Sequence, residues 1–213
     1  MAATGPDTSP VNTEASFKHA NLLFESGKFA AAKEQFLLLA KSNNLAKYWV
    51  NAAYCDLYLN DLPSAEASFQ TALSADSQFA SAWAGLGDAA ATRMNHARAV
   101  ECYNTALSLS PAMSQARNNR GHSLCALGRY REAWADLEAR FSGPDTGNLY
   151  PHALTLPRWQ GNPLDRVFVH WEQGFGDILQ YARFLPHLKR KVKEAVFECP
   201  ATLFGLLKRL PDA

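Results

Sequence analysis

The 213-residue sequence predicts a mainly α protein, in which a solenoid of helix pairs is followed by a small α/β unit. One observation is a repeat: alanine recurs at Ala32, Ala65, Ala99 and Ala133, in steps of 33, 34 and 34 residues. A fixed period of this length is typical of repeat architectures. The other observation is that the repeat stops after about residue 141, where strand-like and helix-like segments begin to alternate.

Each repeat predicts two helices joined by a turn. A second small residue keeps the same period at Ala20, Ala53, Gly87 and Gly121, and a bulky residue follows each of the first alanines at Phe36, Phe69, Tyr103 and Leu137. We expect the small residues to let paired helices approach closely and the bulky ones to fill the gap to the next repeat. Turn chemistry is expected between the helices of each unit, at Gly27-Lys28, Asn60-Asp61, Asn95-His96 and Gly128-Arg129.

These units resemble tetratricopeptide repeats, and four of them cover residues 13–141. The third unit matches the signature best, at Trp83, Leu86, Gly87, Ala99, Tyr103, Ala106 and Pro111. In the first unit Ser16 and His19 stand where the family has an aromatic residue and a leucine. In the fourth unit Arg117 and Arg120 stand there, so we expect its first helix either to be more exposed or to meet an unusual partner.

The resemblance implies a peptide or protein partner bound on an inner, concave face. The family's positions for that face correspond here to Phe17, Asn21, Phe24, Val50, Tyr54, Leu57, Ala84, Asp88, Asn118 and His122. The polar or ring-bearing residues Asn21, Tyr54, Asp88, Asn118 and His122 are therefore the candidate peptide-binding set. Phe17, Phe24 and Leu57 fit an inter-repeat core equally well, because apolar residues at helical spacing usually belong to one. His122 has no Asp or Cys near it in sequence, so neither a catalytic nor a metal-binding role is expected.

Residues 142–166 predict an ordered but irregular connection. Proline and glycine interrupt any regular pattern there, yet the segment carries the apolar residues Leu149, Tyr150, Leu154, Leu156 and Trp159. Residues 167–213 then predict a βαβα unit with strands at 167–171 and 195–199 and helices from about Asp177 and over 201–210. Pro186 should break or kink the first of these helices. Helical crossovers between strands imply that the strands are parallel.

The turn at residues 172–177 lies between the first strand and the first helix of this unit. Backbone N–H groups point outward at such a place and the helix dipole favours negative charge, so Gly174, Phe175 and Gly176 are a candidate anion-binding turn. The alternative is an ordinary tight turn in which Asp177 is simply the helix N-cap.

The order of these features resembles a bacterial family that joins tetratricopeptide repeats to a glycosyltransferase-like domain of the two-lobed GT-B type, related to heptosyltransferases. The resemblance rests on the repeats, on Trp159-x-Gly161, on residues 172–177, and on Gln180, Arg183, Phe184, Leu185 and Pro186. It implies that residues 167–213 are a partial Rossmann-like unit and that Asp177 is a general base toward an acceptor hydroxyl. The second lobe, where the family binds its nucleotide sugar, is not present in the sequence, so such a donor is expected only if that lobe is supplied.

Three functional hypotheses follow, and whether the chain is an enzyme stays open. The first is a protein-interaction scaffold that carries an incomplete glycosyltransferase-like domain. The second is part of a glycosyltransferase that acts only with the missing lobe. The third is a self-contained interaction module in which the βαβα segment caps the solenoid, because an end repeat needs its apolar face covered.

Composition excludes several other classes. The net charge is +1, and the basic cluster Lys189, Arg190, Lys191 and Lys193 falls at an expected helix end, so no nucleic acid partner is expected. The four cysteines show no CxxC pair or ligand spacing, so neither a metal, a cofactor nor a disulfide framework is expected. Residues 1–12 predict a disordered tip without signal-peptide character. No apolar run is long enough for a membrane span, and we expect a cytoplasmic protein.

Overall fold

The computed structural model describes residues 13–142, 156–172, 174–188 and 190–209, and the chain divides into two compact units between residues 143 and 144. The described residues form a mostly helical solenoid and a small two-stranded parallel sheet, which confirms the predicted fold class. The expected disordered tip at 1–12 and most of the expected linker, including Leu149, Tyr150 and Leu154, lie outside the described residues.

The first unit is built from eight helices in the part of it that the structure describes. They are α1 Thr13–Glu25, α2 Phe29–Asn43, α3 Ala46–Tyr58, α4 Leu62–Ala75, α5 Ala80–Thr92, α6 His96–Leu109, α7 Ser114–Ala126 and α8 Tyr130–Leu137, followed by the 3₁₀ helix Glu138–Ser142. Each helix packs on the next one along the chain. In addition α3 contacts α5 and α5 contacts α7, so the first helices of successive repeats form one continuous layer.

The small and bulky residues of the repeat meet where two helices of a unit cross. Ala20, Ala53, Gly87 and Gly121 are all buried, as are Phe36, Phe69 and Tyr103. A Cβ added at Gly87 would lie 2.5 Å from the Tyr103 ring, and one added at Gly121 would lie 3.0 Å from Leu137. The predicted close approach of paired helices is therefore present, and its cause is the lack of side-chain volume at these positions.

The turn inside each unit contains one residue in the left-handed conformation. These residues are Gly27, Asn60, Met94 and Gly128, with φ of 75°, 60°, 61° and 74°. The predicted turn at Asn95-His96 is wrong by one position in the third unit. Asn95 instead caps α6, because its Oδ1 accepts a hydrogen bond from the Arg98 N–H at 3.2 Å. A side chain that suits both roles cannot be assigned to one of them from sequence alone.

The fourth unit replaces apolar packing with an internal ion pair. The Arg120 guanidinium donates to Asp136 through Nε at 2.6 Å and Nη2 at 2.8 Å, and through Nη1 to Asn104 Oδ1 at 2.7 Å. Arg117 Nη2 donates to the Pro111 carbonyl at 2.8 Å. Both arginines are half-buried, so the expectation of an unusual partner is the one that holds, rather than that of an exposed helix.

The second unit contains β1 Leu164–Val169, α9 Phe175–Ala182, the single turn α10 Leu185–Leu188, β2 Val192–Phe197 and α11 Ala201–Leu207. The strands pair in parallel, with Val167 opposite Ala195, as predicted. Both strands start three residues before the predicted position, because Arg166 and Glu194 pair across them at 2.8 Å and polar residues at an exposed strand end give no apolar pattern. As expected from Pro186, the first helix ends before it, at Ala182.

One face of this sheet is covered by helices. Ile178, Ala182 and Leu207 are buried there, with Leu185, Phe197, Cys199 and Leu203 packed against them. Phe168 and Val196, which are opposite each other in the register, are exposed on the other face.

Candidate peptide-binding site

A half-buried carboxylate, Asp88 on α5, joins three neighbouring helices. Its Oδ1 accepts hydrogen bonds from Tyr103 Oη on α6 at 2.7 Å and from Asn119 Nδ2 on α7 at 2.8 Å. Its Oδ2 accepts one from Tyr54 Oη on α3 at 3.2 Å. These four side chains, which we call the Asp88 cluster, link the second, third and fourth repeats at one point of the inner layer.

Burial decides the protonation of this cluster. It raises the pKa of Asp88 above its ordinary value, although hydrogen bonds from Tyr103, Asn119 and Tyr54 oppose the shift. Burial, and then the negative charge of Asp88, raise the pKa of Tyr54 and of Tyr103. Both phenols therefore remain donors at neutral pH, and the geometry of the cluster is fixed by neutral donor groups.

A cavity of about 290 Å³ lies beside the Asp88 cluster, between α5, the start of α6, and α7. Its walls are mostly polar and consist of Asp88, Ala91, Thr92, His96, Tyr103, Asn119, His122 and Ser123. His122 is exposed, whereas the Nδ1 atom of His96 is buried and has no hydrogen-bond partner among the described residues. The cavity can hold one side chain of a ligand and offers it acceptors as well as a way out to solvent.

The predicted peptide-binding residues divide into three groups. Asp88 and His122 line the cavity, and Tyr54 reaches it through Asp88. Asn118 is half-buried, does not line the cavity, and has a side-chain oxygen without a hydrogen-bond partner among the described residues. Asn21 is half-buried on α1, on the first repeat.

Sequence reasoning missed Asn119, Tyr103, His96 and Ser123. Asn119 immediately follows the position that the family assigns to the inner face, and the bulk of Tyr103 indicates a core position in the sequence. A run of two asparagines in the first helix of a unit is the one signal that points to the site. It does not tell which of the two faces inward.

At the other end of the layer the apolar candidates belong to the core. The Phe17 ring lies 6.0 Å from that of Phe36 and 5.5 Å from that of Tyr48. The Phe24 ring lies 5.3 Å from those of Phe29 and Tyr58, and Leu57 packs on the cluster around Phe69. Of the two interpretations that the sequence left open for Phe17, Phe24 and Leu57, these contacts favour inter-repeat packing.

The glycine turn of the second unit is exposed throughout. Gly174 precedes α9, and its carbonyl accepts hydrogen bonds from the N–H groups of Asp177 at 3.1 Å and Ile178 at 3.2 Å. Asp177 is the third residue of α9, so the interpretation of it as the N-cap is wrong. Its carboxylate lies in the first turn, where the helix dipole already attracts one negative charge.

Two further searches concern the described residues only. No three His, Cys, Asp or Glu side chains there are grouped closely enough to hold a metal ion. None of the helices in that part of the chain has the length and apolar character needed to cross a membrane.

A family model described as tetratricopeptide repeat matches residues 50–114, which run from α3 to the first residue of α7. This segment is a tetratricopeptide-repeat region. FlbA of Caulobacter vibrioides is 37% identical to the chain over 71 residues, and the match covers 32% of this chain and 12% of FlbA. The chain thus spans only about an eighth of that curated relative.

Solved tetratricopeptide-repeat structures share the fold at low sequence identity. The thermophilic repeat protein TTC0263 of Thermus thermophilus superposes with a TM-score of 0.58 at 20% identity, over 70% of this chain and 84% of that one. MamA gives a TM-score of 0.53 at 19% identity, over 67% of this chain and 84% of MamA. The first repeat domain of Spaghetti (RPAP3), solved with an HSP90 peptide, gives 0.51 at 19% identity over 58% of this chain and 99% of that domain.

Proposed function

We propose that the tetratricopeptide repeats of this chain bind a peptide segment of a partner protein along the layer formed by α3, α5 and α7. Tetratricopeptide repeats mediate protein–protein interaction, and the RPAP3 domain of the same fold was solved with a peptide bound. Asn21, Tyr54, Asp88, Asn118 and His122 remain the proposed contact set, to which the cavity adds Asn119 and His96.

The observation that carries this proposal is the polar cavity beside the Asp88 cluster. A core position of a repeat is normally filled by apolar side chains, yet here eight residues from three helices surround an open space of about 290 Å³. The Asp88 cluster holds the walls of that space with three hydrogen bonds, so the site is largely formed before a ligand arrives. A preformed site costs little ordering on binding.

The test is a peptide-display selection against the intact chain, followed by calorimetry with the best peptide. Thr92→Trp places a ring at the exposed edge of the cavity and should weaken binding at least about tenfold. Ser108→Trp is the matched control: Ser108 is also exposed and also donates its hydroxyl to a carbonyl of its own helix, but does not line the cavity. Equal affinity of both variants, or no enriched peptide, would refute the proposal.

A second candidate function concerns residues 167–213. The observation that favours it is the order of strand, glycine turn, helix and parallel strand, which is the order expected at the start of a glycosyltransferase-like domain. In this proposal Asp177 acts as general base on an acceptor hydroxyl, for which its exposed position at the start of α9 leaves room. A nucleotide sugar would bind only where a second lobe is supplied. Sugar transfer that falls at least about a hundredfold in Asp177→Asn would support this function.

We expect the 213-residue chain itself to show no measurable affinity for nucleotide sugars. Gly174, Phe175 and Gly176 are exposed, so water and salt screen the helix dipole there, and the Asp177 carboxylate repels a diphosphate. Calorimetry with a panel of nucleotide sugars checks this expectation. Micromolar affinity for any of them would contradict it and would favour the transferase alternative.

A further inference from the structure

Three aspartates of the repeat region lie inside the protein, and they differ in their partners. Asp56 is 0% exposed and pairs with Lys33, whose Nζ lies 2.5 Å from Oδ1. Asp136 is also buried and pairs with Arg120 at 2.6 Å. Asp88 has no cation within ion-pair distance among the described residues, and all three of its donors are neutral.

Hydrogen bonds from neutral donors orient Asp88 but leave its negative charge uncompensated. Carboxylates that are removed from water are normally paired with a cation, because an isolated charge is costly in a poorly solvated site. The chain follows this rule at Asp56 and Asp136. Asp88 differs in one further respect, since it is the one of the three that lines the cavity.

The carboxylate also has acceptor capacity left. Oδ1 accepts two hydrogen bonds, whereas Oδ2 accepts one, at the comparatively long distance of 3.2 Å from Tyr54. An ionised carboxylate can accept about four. His96 lines the same cavity, and a neutral imidazole nitrogen at Nδ1 would be a further acceptor.

We propose that the cavity takes a basic side chain of the bound peptide, an arginine or a lysine, whose cationic group pairs with Asp88. This inference rests on the proposed function and specifies the chemistry of its ligand. A guanidinium or ammonium group has only donors, which matches a site with a spare carboxylate position and an unpartnered imidazole nitrogen. An acidic side chain would meet the charge of Asp88 at close range and would be rejected.

The experiment compares three blocked alanine-rich peptides that differ at one central residue: arginine, its neutral isostere citrulline, or glutamate. The intact chain is titrated near pH 8, where histidines are largely neutral, and nuclear magnetic resonance follows the Asp88 carboxylate carbon and the Asn119 side-chain amide. We expect the arginine peptide to shift both signals and to bind at least about tenfold more tightly than the citrulline peptide. The glutamate peptide should bind more weakly than either.

Asp88→Asn should abolish the preference for arginine, whereas Glu34→Gln should keep it, because Glu34 is an exposed carboxylate on α2, a helix outside the cavity. If Asp88→Asn does not fold, the arginine and citrulline titrations of the unaltered chain decide alone. Equal binding of these two peptides, tighter binding of the glutamate peptide, or no shift with any of them would overturn the inference. The proposed function is judged separately by the display selection, which is not restricted to basic peptides.

Discussion

Met94 is the residue whose side chain agrees least with its backbone. It occupies the left-handed turn position with φ of 61°, where the other three units have Gly27, Asn60 and Gly128. A left-handed conformation costs an L-residue roughly 1 to 2 kcal/mol, and glycine avoids that cost. The Met94 side chain is 75% exposed, so its removal sacrifices little packing.

We therefore expect Met94→Gly to raise the free energy of unfolding by about 0.5 to 1 kcal/mol, as measured by urea denaturation. Met94→Ala is the control, because alanine shortens the side chain but keeps the strain. A gain of similar size in both variants would show that the side chain, and not the backbone conformation, is unfavourable.

The residue scale also shows where sequence reasoning ends. The small residue at each helix crossing, such as Gly87, was predictable because the requirement is local to one unit and recurs with the period. The Asp88 cluster was not, because Tyr54 is 34 residues away from Asp88 and Asn119 is 31 residues away. Its donors come from separate repeats, and only the way in which the repeats stack brings them together.

At the scale of elements, the fourth unit holds its two helices together differently from the third. Arg120 and Asp136 occupy the positions that Leu86 and Cys102 occupy 34 residues earlier. The third unit thus places a leucine and a thiol where the fourth places an ion pair, half-buried at Arg120 and buried at Asp136. A pair of this kind is often no more stabilising than apolar residues of similar volume, but losing one partner is costly.

This comparison predicts a pronounced non-additivity. Arg120→Leu alone leaves Asp136 buried without its cation and should lower the free energy of unfolding by about 3 kcal/mol. Arg120→Leu combined with Asp136→Cys recreates the arrangement of the third unit and should recover most of that loss. Urea denaturation of the two variants and of Asp136→Cys alone completes the cycle. Additive losses would mean that the ion pair is not the main link between α7 and α8.

Elements of the second unit show the same limit of sequence patterns at another place. The existence and parallel pairing of β1 and β2 could be predicted, because a helical crossover leaves little choice of direction. The first residues of the strands could not, since Asp165, Arg166 and Glu194 pair with charges across the exposed sheet and resemble loop residues in sequence. Burial, which produces the pattern, is absent at that end of the sheet.

For the whole molecule, internal carboxylates should shape the response to pH. Burial raises the pKa of Asp56 despite the opposing effect of Lys33, and it raises the pKa of Asp88 despite three hydrogen-bond donors. The folded protein therefore binds these two protons more tightly than the unfolded chain does. Their contribution to the free energy of unfolding falls as pH rises from the ordinary value of 3.8 through the folded pKa, and it is constant above that.

Asn cannot ionise, so each of Asp56→Asn and Asp88→Asn should become more stable relative to the unaltered chain as pH rises from about 4 toward neutrality. Whatever constant difference the lost contacts produce, this change with pH has a fixed sign. Asp61 is the control of opposite sign: hydrogen bonding to Ser64 at the N-cap of α4 lowers its pKa, so Asp61→Asn should become less stable relative to the unaltered chain as pH rises toward 3.8. Urea denaturation at a series of pH values measures all three differences. Differences that do not change with pH in the two internal variants would mean that Asp56 and Asp88 titrate alike in the folded and unfolded chains, and hence that neither carries the uncompensated burial on which the proposed pairing of Asp88 with a basic ligand depends.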